Sequence, residues 1–174
     1  SLLRGVDYMQ MGQNDQAEAC FKQALAENPS NDAAHYYLGF IYARKNDAEA
    51  TLKEFSTAYA MDSTNVWYAK RYATICAALS DQKTAAKVYE KLLQGHGTDL
   101  EVLSSLSDIY MDTGEFTKAG ALLDRIEALQ GSSDYTRIVR LDILRMQGDF
   151  NGYFSGLNNY FADPMVYPEA KKQL

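Results

Sequence analysis

With 174 residues, 47% of them hydrophobic, and only 3 prolines and 11 glycines, the chain can build a buried core and lacks the bias of a disordered or low-complexity segment. Its formal net charge of -6 disfavours nucleic acid, whose binding rests on Lys and Arg neutralising phosphates, and equally an anionic membrane surface. No apolar run reaches the roughly 20 residues that a membrane span needs.

Sliding the chain along itself by 34 residues brings like residues into columns. Helices are predicted, in chain order, near 1–11, 15–28, 32–45, 48–61, 65–79, 82–94, 99–112, 116–130, 134–147 and 150–162. Gly12, Asn46, Ser80, Gly114 and Gly148 form one column, and Gln13, Asp47, Asp81, Glu115 and Asp149 the next. Gly and Asn tolerate the left-handed conformation that ends a helix, and the acid that follows meets the positive end of the next helix dipole. The other boundary, as in Asn28-Pro29-Ser30-Asn31-Asp32 and Gly131-Ser132-Ser133-Asp134, combines turn residues with N-cap residues. Each unit is therefore helix, turn, helix, turn. Small residues recur in the first helix (Gly5, Gly39, Ala73, Ser107) and in the second (Ala17, Thr51, Ala85, Ala119). They let paired helices approach closely, while a column of large residues (Phe21, Phe55, Tyr89, Leu123, Leu157) fills the space beside them. In the fifth unit Leu141 and Tyr153 take the two small positions, and Pro164 and Pro168 then break the pattern.

His35-x-x-Leu38-Gly39-x-x-Tyr42 resembles the first-helix pattern of the tetratricopeptide repeat family, with His where the family has Trp. Ala17-x-x-x-Phe21 followed by Pro29 resembles its second-helix pattern, and the likeness runs from residue 1 to about 130. The resemblance implies an all-α, right-handed superhelical solenoid of antiparallel helix pairs, with first helices lining a concave groove. The expected organisation is one domain over 1–174, with repeats at 1–31, 32–65, 66–99 and 100–133, a degenerate repeat at 134–163 and a capping helix at 164–174. The chain opens at Ser1 without an initiator methionine or a signal peptide and reads as an excerpt of a longer or processed protein. A cytoplasmic and an exported origin both stay open, and further repeats before residue 1 are one reading of the incomplete first unit.

First-helix residues outside the core columns are the candidates for a groove. They are apolar and aromatic at the front of the stack, basic in the middle and acidic at the far part. The site expected to take a peptide or protein segment comprises Tyr37, Phe40, Arg44, Trp67, Lys70, Arg71, Thr74, Asp108 and Asp112. Aromatics and Arg dominate binding hot spots, and Arg matches a carboxylate bidentately. The competing reading packs Tyr36, Tyr37, Phe40 and Trp67 on neighbouring helices and leaves Lys70 and Arg71 solvated. Asp108 and Asp112, four apart, share one helix face and with Glu101 and Asp142 make an acidic patch, which is either a surface for a basic partner or simply solvated. The carboxylate clamp of Lys, Asn and Arg found in some members of the family is not matched, since Leu2, Val6 and Tyr37 stand where it needs polar residues.

Nothing in the spacing points to catalysis, a metal or a cofactor. His35 and His96 lie in different units, and Cys20 and Cys76, two repeats apart, are expected as free thiols acting as small core residues. The expected function is a non-catalytic interaction module, an adaptor or scaffold, binding through its groove. The alternative is a structural or regulatory arm of a larger enzyme or of an envelope or transport assembly, using its convex face or ends. Self-association through an open N-terminal end carrying Leu2, Leu3 and Val6 is a further expectation.

Overall fold

The structure, a computed structural model, describes residues 1–166. Those residues form ten α-helices: α1 (Leu2–Gln10), α2 (Asn14–Glu27), α3 (Asp32–Arg44), α4 (Ala48–Met61), α5 (Val66–Ala78), α6 (Gln82–Gly95), α7 (Leu100–Asp112), α8 (Phe116–Gln130), α9 (Asp134–Met146) and α10 (Phe150–Ala162). The ten helices expected from the 34-residue register are all present. They divide into two compact units, Ser1–Gly95 with α1 to α6 and His96–Leu174 with α7 to α10. In both, each first helix packs against the second helix of its own pair. Among the described residues no helix is long and apolar enough to cross a membrane.

The turn inside each pair is set by local chemistry. Gly12, Asn46, Ser80, Gly114 and Gly148 all adopt positive φ, between 57° and 79°. The following residue then reaches back five positions with its backbone N–H: Gln13 to Tyr8, Asp47 to Tyr42, Asp81 to Cys76, Glu115 to Tyr110 and Asp149 to Leu144, at 2.7–3.0 Å. This closure satisfies carbonyls that the ending helix leaves open. The acid of that column does more than meet the dipole where it is aspartate. Asp47, Asp81 and Asp149 accept from the backbone N–H of Ala50, Thr84 and Gly152 as N-caps. Between pairs, Asn31, Asn65, Asp99 and Ser133 cap the next first helix in the same way.

The core of each pair is a small residue facing a large one. A Cβ added at Gly5 would lie 2.5 Å from the Phe21 ring, and one at Gly39 would lie 2.5 Å from the Phe55 ring. By register Ala73 faces Tyr89 and Ser107 faces Leu123, all four buried, so in the fourth pair an aliphatic side chain takes the place of the ring. The fifth pair inverts the arrangement. Leu141 is large and buried on α9, and the small partner moves to α10, where a Cβ on Gly156 would lie 2.6 Å from Leu141 Cδ2. Leu141, Tyr160 and Val166 close this end of the second unit, with Ile138, Tyr153 and Leu157 packed around them. The expected capping helix begins as a turn and bend over 164–166, and its remainder, 167–174, lies outside the described residues. Cys20 and Cys76 are free thiols, and burial pushes that of Cys76 upward.

Charge ties successive pairs of the first unit together. The Lys45 ammonium at the end of α3 reaches Asp15 at 2.7 Å and Glu18 at 2.6 Å on α2, and Lys22 bonds the same Glu18 carboxylate. Hydrogen bonds from Lys22 and Lys45 hold Glu18 well below the ordinary glutamate range, at about 2. A carboxylate whose pKa is depressed on folding contributes stability above its unfolded value and loses it as pH falls through the folded one. Glu18→Gln is therefore expected to lower the melting temperature at neutral pH, with the difference from the unmodified protein closing between about pH 4.5 and 2. A thermal melt series over that window checks this, and a constant difference at all pH values contradicts it.

Candidate functional site

Most of the residues nominated for a groove fall in the first unit, on α3 and α5, and the structure gives them unequal roles. Tyr37 stacks flat on the buried Phe21, with ring centroids 5.4 Å apart and an interplanar angle of 13°, and belongs to the core around Ala17, Phe21, Leu38 and Ile41. Phe40 meets Tyr36 edge-on at 5.0 Å and Phe55 edge-on at 5.3 Å. Tyr36 bridges to the next pair by its ring contact with Tyr68 at 4.9 Å. The aromatic run expected at the front of the stack is thus a ladder of rings joining the helix pairs of this unit, and half-buried Phe40 is its outer rung.

The cations are equally engaged. Arg44 donates to the Met9 carbonyl at 3.1 Å and to Asn14 Oδ1 at 3.0 Å, pinning the end of α3 to the α1–α2 turn. Lys70, expected at an open groove wall, is only 9% exposed and is not free. The Arg71 guanidinium lies 5.4 Å from the Phe40 ring centroid, a cation–π contact. It also sits beside the Tyr36 hydroxyl, where it partly offsets the upward push of burial on that phenol. Thr74 donates to the Lys70 carbonyl at 2.8 Å and shares a hydrogen bond with the Tyr89 hydroxyl at 3.1 Å. Trp67 differs from all of these. It sits in the first turn of α5, its backbone N–H held by Asn65 Oδ1 at 3.0 Å, with its side chain 63% exposed.

In the second unit Asp108 accepts a hydrogen bond from the Tyr135 hydroxyl at 2.9 Å, so α9 presents its donor to α7. Burial raises the Asp108 carboxyl above the ordinary range; the Tyr135 bond works in the opposite direction and Asp112 adds to the rise. Desolvation and the neighbouring carboxylate push Tyr135 far upward. Asp112 and Glu101 both have partners, and Asp142 is paired with Arg145 at 2.7 Å. The acidic patch is thus partly neutralised inside its own unit.

His35 Nδ1 lies 2.6 Å from Glu54 Oε2, joining α3 to α4. Among the described residues no group of three or more His, Cys, Asp and Glu is placed to hold a metal ion. A shallow depression of about 500 Å³ runs along α4, lined by Asp47, Glu49, Ala50, Leu52, Lys53 and Ser56. Exposed phenylalanines on α10, Phe150 and Phe154, were not among the nominated residues. Their four-residue spacing is a signal visible in the sequence, but it lies on a second helix, whereas the groove candidates are all first-helix residues.

A family model described as Tetratricopeptide repeat matches residues 2–66. Tetratricopeptide repeat protein 37 of Xenopus laevis is 22% identical over 142 residues, covering 80% of this chain and 9% of that protein. The type IV pilus assembly protein PilF of Pseudomonas aeruginosa is 29% identical over 90 residues, covering 52% of this chain and 34% of that protein. The chain therefore spans well under half the length of these curated relatives. Among solved structures, a tetratricopeptide repeat protein from Parabacteroides merdae superposes with TM-score 0.82 at 19% identity, covering 99% of this chain and 70% of that one. YrrB, described as a TPR protein with an unusual peptide-binding site, gives 0.81 at 14% identity, covering 90% and 81%. MamA gives 0.75 at 15% identity, covering 87% and 91%. At these identities the structural likenesses show the fold alone.

Proposed function

We propose that this chain, whose residues 2–66 match the Tetratricopeptide repeat model and whose fold is that of tetratricopeptide repeat proteins, is a protein-interaction scaffold whose first unit binds an extended peptide or protein segment on the face carrying Trp67 and Arg71. The observation that carries this reading is the exposure of Trp67, a large apolar ring left open at a helix start while the other nominated aromatics are drawn into the ring ladder. Trp and Arg supply the most binding energy per residue at interfaces, and the Arg71 guanidinium is already oriented by the Phe40 ring behind it. YrrB, with the same fold, is described by its peptide-binding site. The role assigned to this chain is recognition, with no catalytic step.

Screening the protein against a random-peptide display library tests the reading. Enriched peptides are expected to lose about tenfold or more in affinity in Trp67→Ala and in Arg71→Glu, each checked for intact folding by thermal melting. No enrichment, or binding indifferent to both substitutions, overturns it.

A second reading is favoured by a different observation. Leu3 and Met11 on and beside α1 are strongly exposed, and the depression on α4 is lined by none of the nominated residues. These features fit a structural or regulatory arm that makes contacts through its convex face or its ends, self-association included.

A further inference from the structure

We propose that the exposed phenylalanine face of α10 receives helix α1 of a second copy of this chain, in a head-to-tail contact that repeats the internal stacking of second helix on next first helix. This takes up the second reading above and names the occupant; it does not depend on peptide binding at Trp67.

The argument starts from how α2 meets α3. Asn14 accepts from Arg44, and Glu18 accepts from Tyr42 at 3.3 Å and from Lys45 at 2.6 Å. Advancing Asn14 and Glu18 by four repeats of 34 gives Phe150 and Phe154 on α10. Moving Tyr42, Arg44 and Lys45 back by one repeat gives Tyr8, Gln10 and Met11 at the end of α1. The face of α10 that carries the two phenylalanines is therefore the face that a first helix covers in the α2–α3 contact.

The chemistry has changed on both sides together. Two polar acceptors have become phenylalanines that are 57% and 58% exposed, and the lysine has become a methionine that is 70% exposed. Charge opposite charge in the α2–α3 contact is replaced by aromatic opposite thioether, with Tyr8 kept in its place. Met and aromatic side chains pack favourably, and large exposed apolar side chains grouped on one face mark association surfaces. Further along, Phe161 and Arg4 occupy the register of two internal pairs, the stacked rings of Tyr59 and Tyr72 and the ion pair of Glu127 with Arg140. Arg opposite Phe at that place is a favourable cation–π combination. The contact is heterologous, α10 of one copy against α1 of the next.

Light scattering after size exclusion, over a dilution series of the whole chain, reads the proposal. A mass that grows with concentration is expected. Phe154→Glu and Met11→Glu should each abolish that growth, shifting any residual association by about tenfold or more in concentration. Both positions are exposed, so thermal melting at dilutions where the parent is a monomer should stay unchanged. Mixed in equal amounts, the two variants should form a complex of two chains and no larger, because one intact α10 face meets one intact α1 end. Phe154→Glu with Met11→Lys in one chain should restore growth by rebuilding the Glu18–Lys45 pair. Trp67→Ala should leave association untouched, which separates this contact from groove binding. A monomer at every concentration, growth that survives both single variants, or a mixture that stays monomeric would each overturn the proposal.

Discussion

Gly39→Leu is expected to destabilise the first unit by about 3 kcal/mol, a fall of roughly 10 °C in melting temperature. Two effects oppose each other at this position. Glycine inside a helix costs about 1 kcal/mol relative to a good helix former, so the substitution gains there. Against it, even the first added carbon would lie 2.5–2.9 Å from three carbons of the Phe55 ring. That ring has no room to move, being buried and held edge-on by Phe40 and in contact with Tyr36. Overpacking a fixed ring outweighs the propensity gain, and leucine adds three more carbons to the clash. The same logic predicts that Gly39→Ala destabilises, and that Gly39→Ala with Phe55→Leu recovers part of the loss by reproducing the smaller Ser107 and Leu123 combination of the fourth pair. Thermal and urea unfolding of the three variants reads this directly, and a Gly39→Leu protein that melts like the parent would refute the close approach of α3 to α4.

Phe21→Ala is expected to cost about 3–5 kcal/mol and to act locally. Phe21 is fully buried at the centre of the first core cluster, fills the space left by Gly5 and stacks on Tyr37. Its removal leaves a cavity that neither neighbour can close, since Gly5 has no side chain to move. In a repeat stack each pair is stabilised by its own packing and by its neighbours, so an end pair loosens before the rest. Hydrogen exchange should therefore accelerate across α1 and α2 while α4 to α6 remain protected. Arg44 and Lys45, which hold the α1–α2 turn and α2 from α3, limit the spread. Exchange rising uniformly through the first unit would show instead that its three pairs unfold as one.

The sequence by itself determined the repeat, the ten helices and their turns, because those features are made by neighbours along the chain. A residue at positive φ, an N–H reaching back five positions, and an aspartate capping an amide three residues on each need only a short stretch of sequence. It also showed that the fifth pair departs from the rule at Leu141. That the small residue had moved across to Gly156 needed the packing of α10 on α9. The surface was decided by tertiary structure alone. Tyr37, Phe40 and Arg44 on α3 and Trp67, Lys70 and Thr74 on α5 all fall outside the core columns, yet of the nominated aromatics only Trp67 is left strongly exposed, because long polar and aromatic side chains at the margin of a helix face go to whatever partner comes within reach. Arg44 found an acceptor 35 residues away in the Met9 carbonyl, and Tyr37 found the Phe21 ring. Which marginal side chains are drawn in and which remain exposed depends on the approach of neighbouring pairs, a distance that no local pattern encodes.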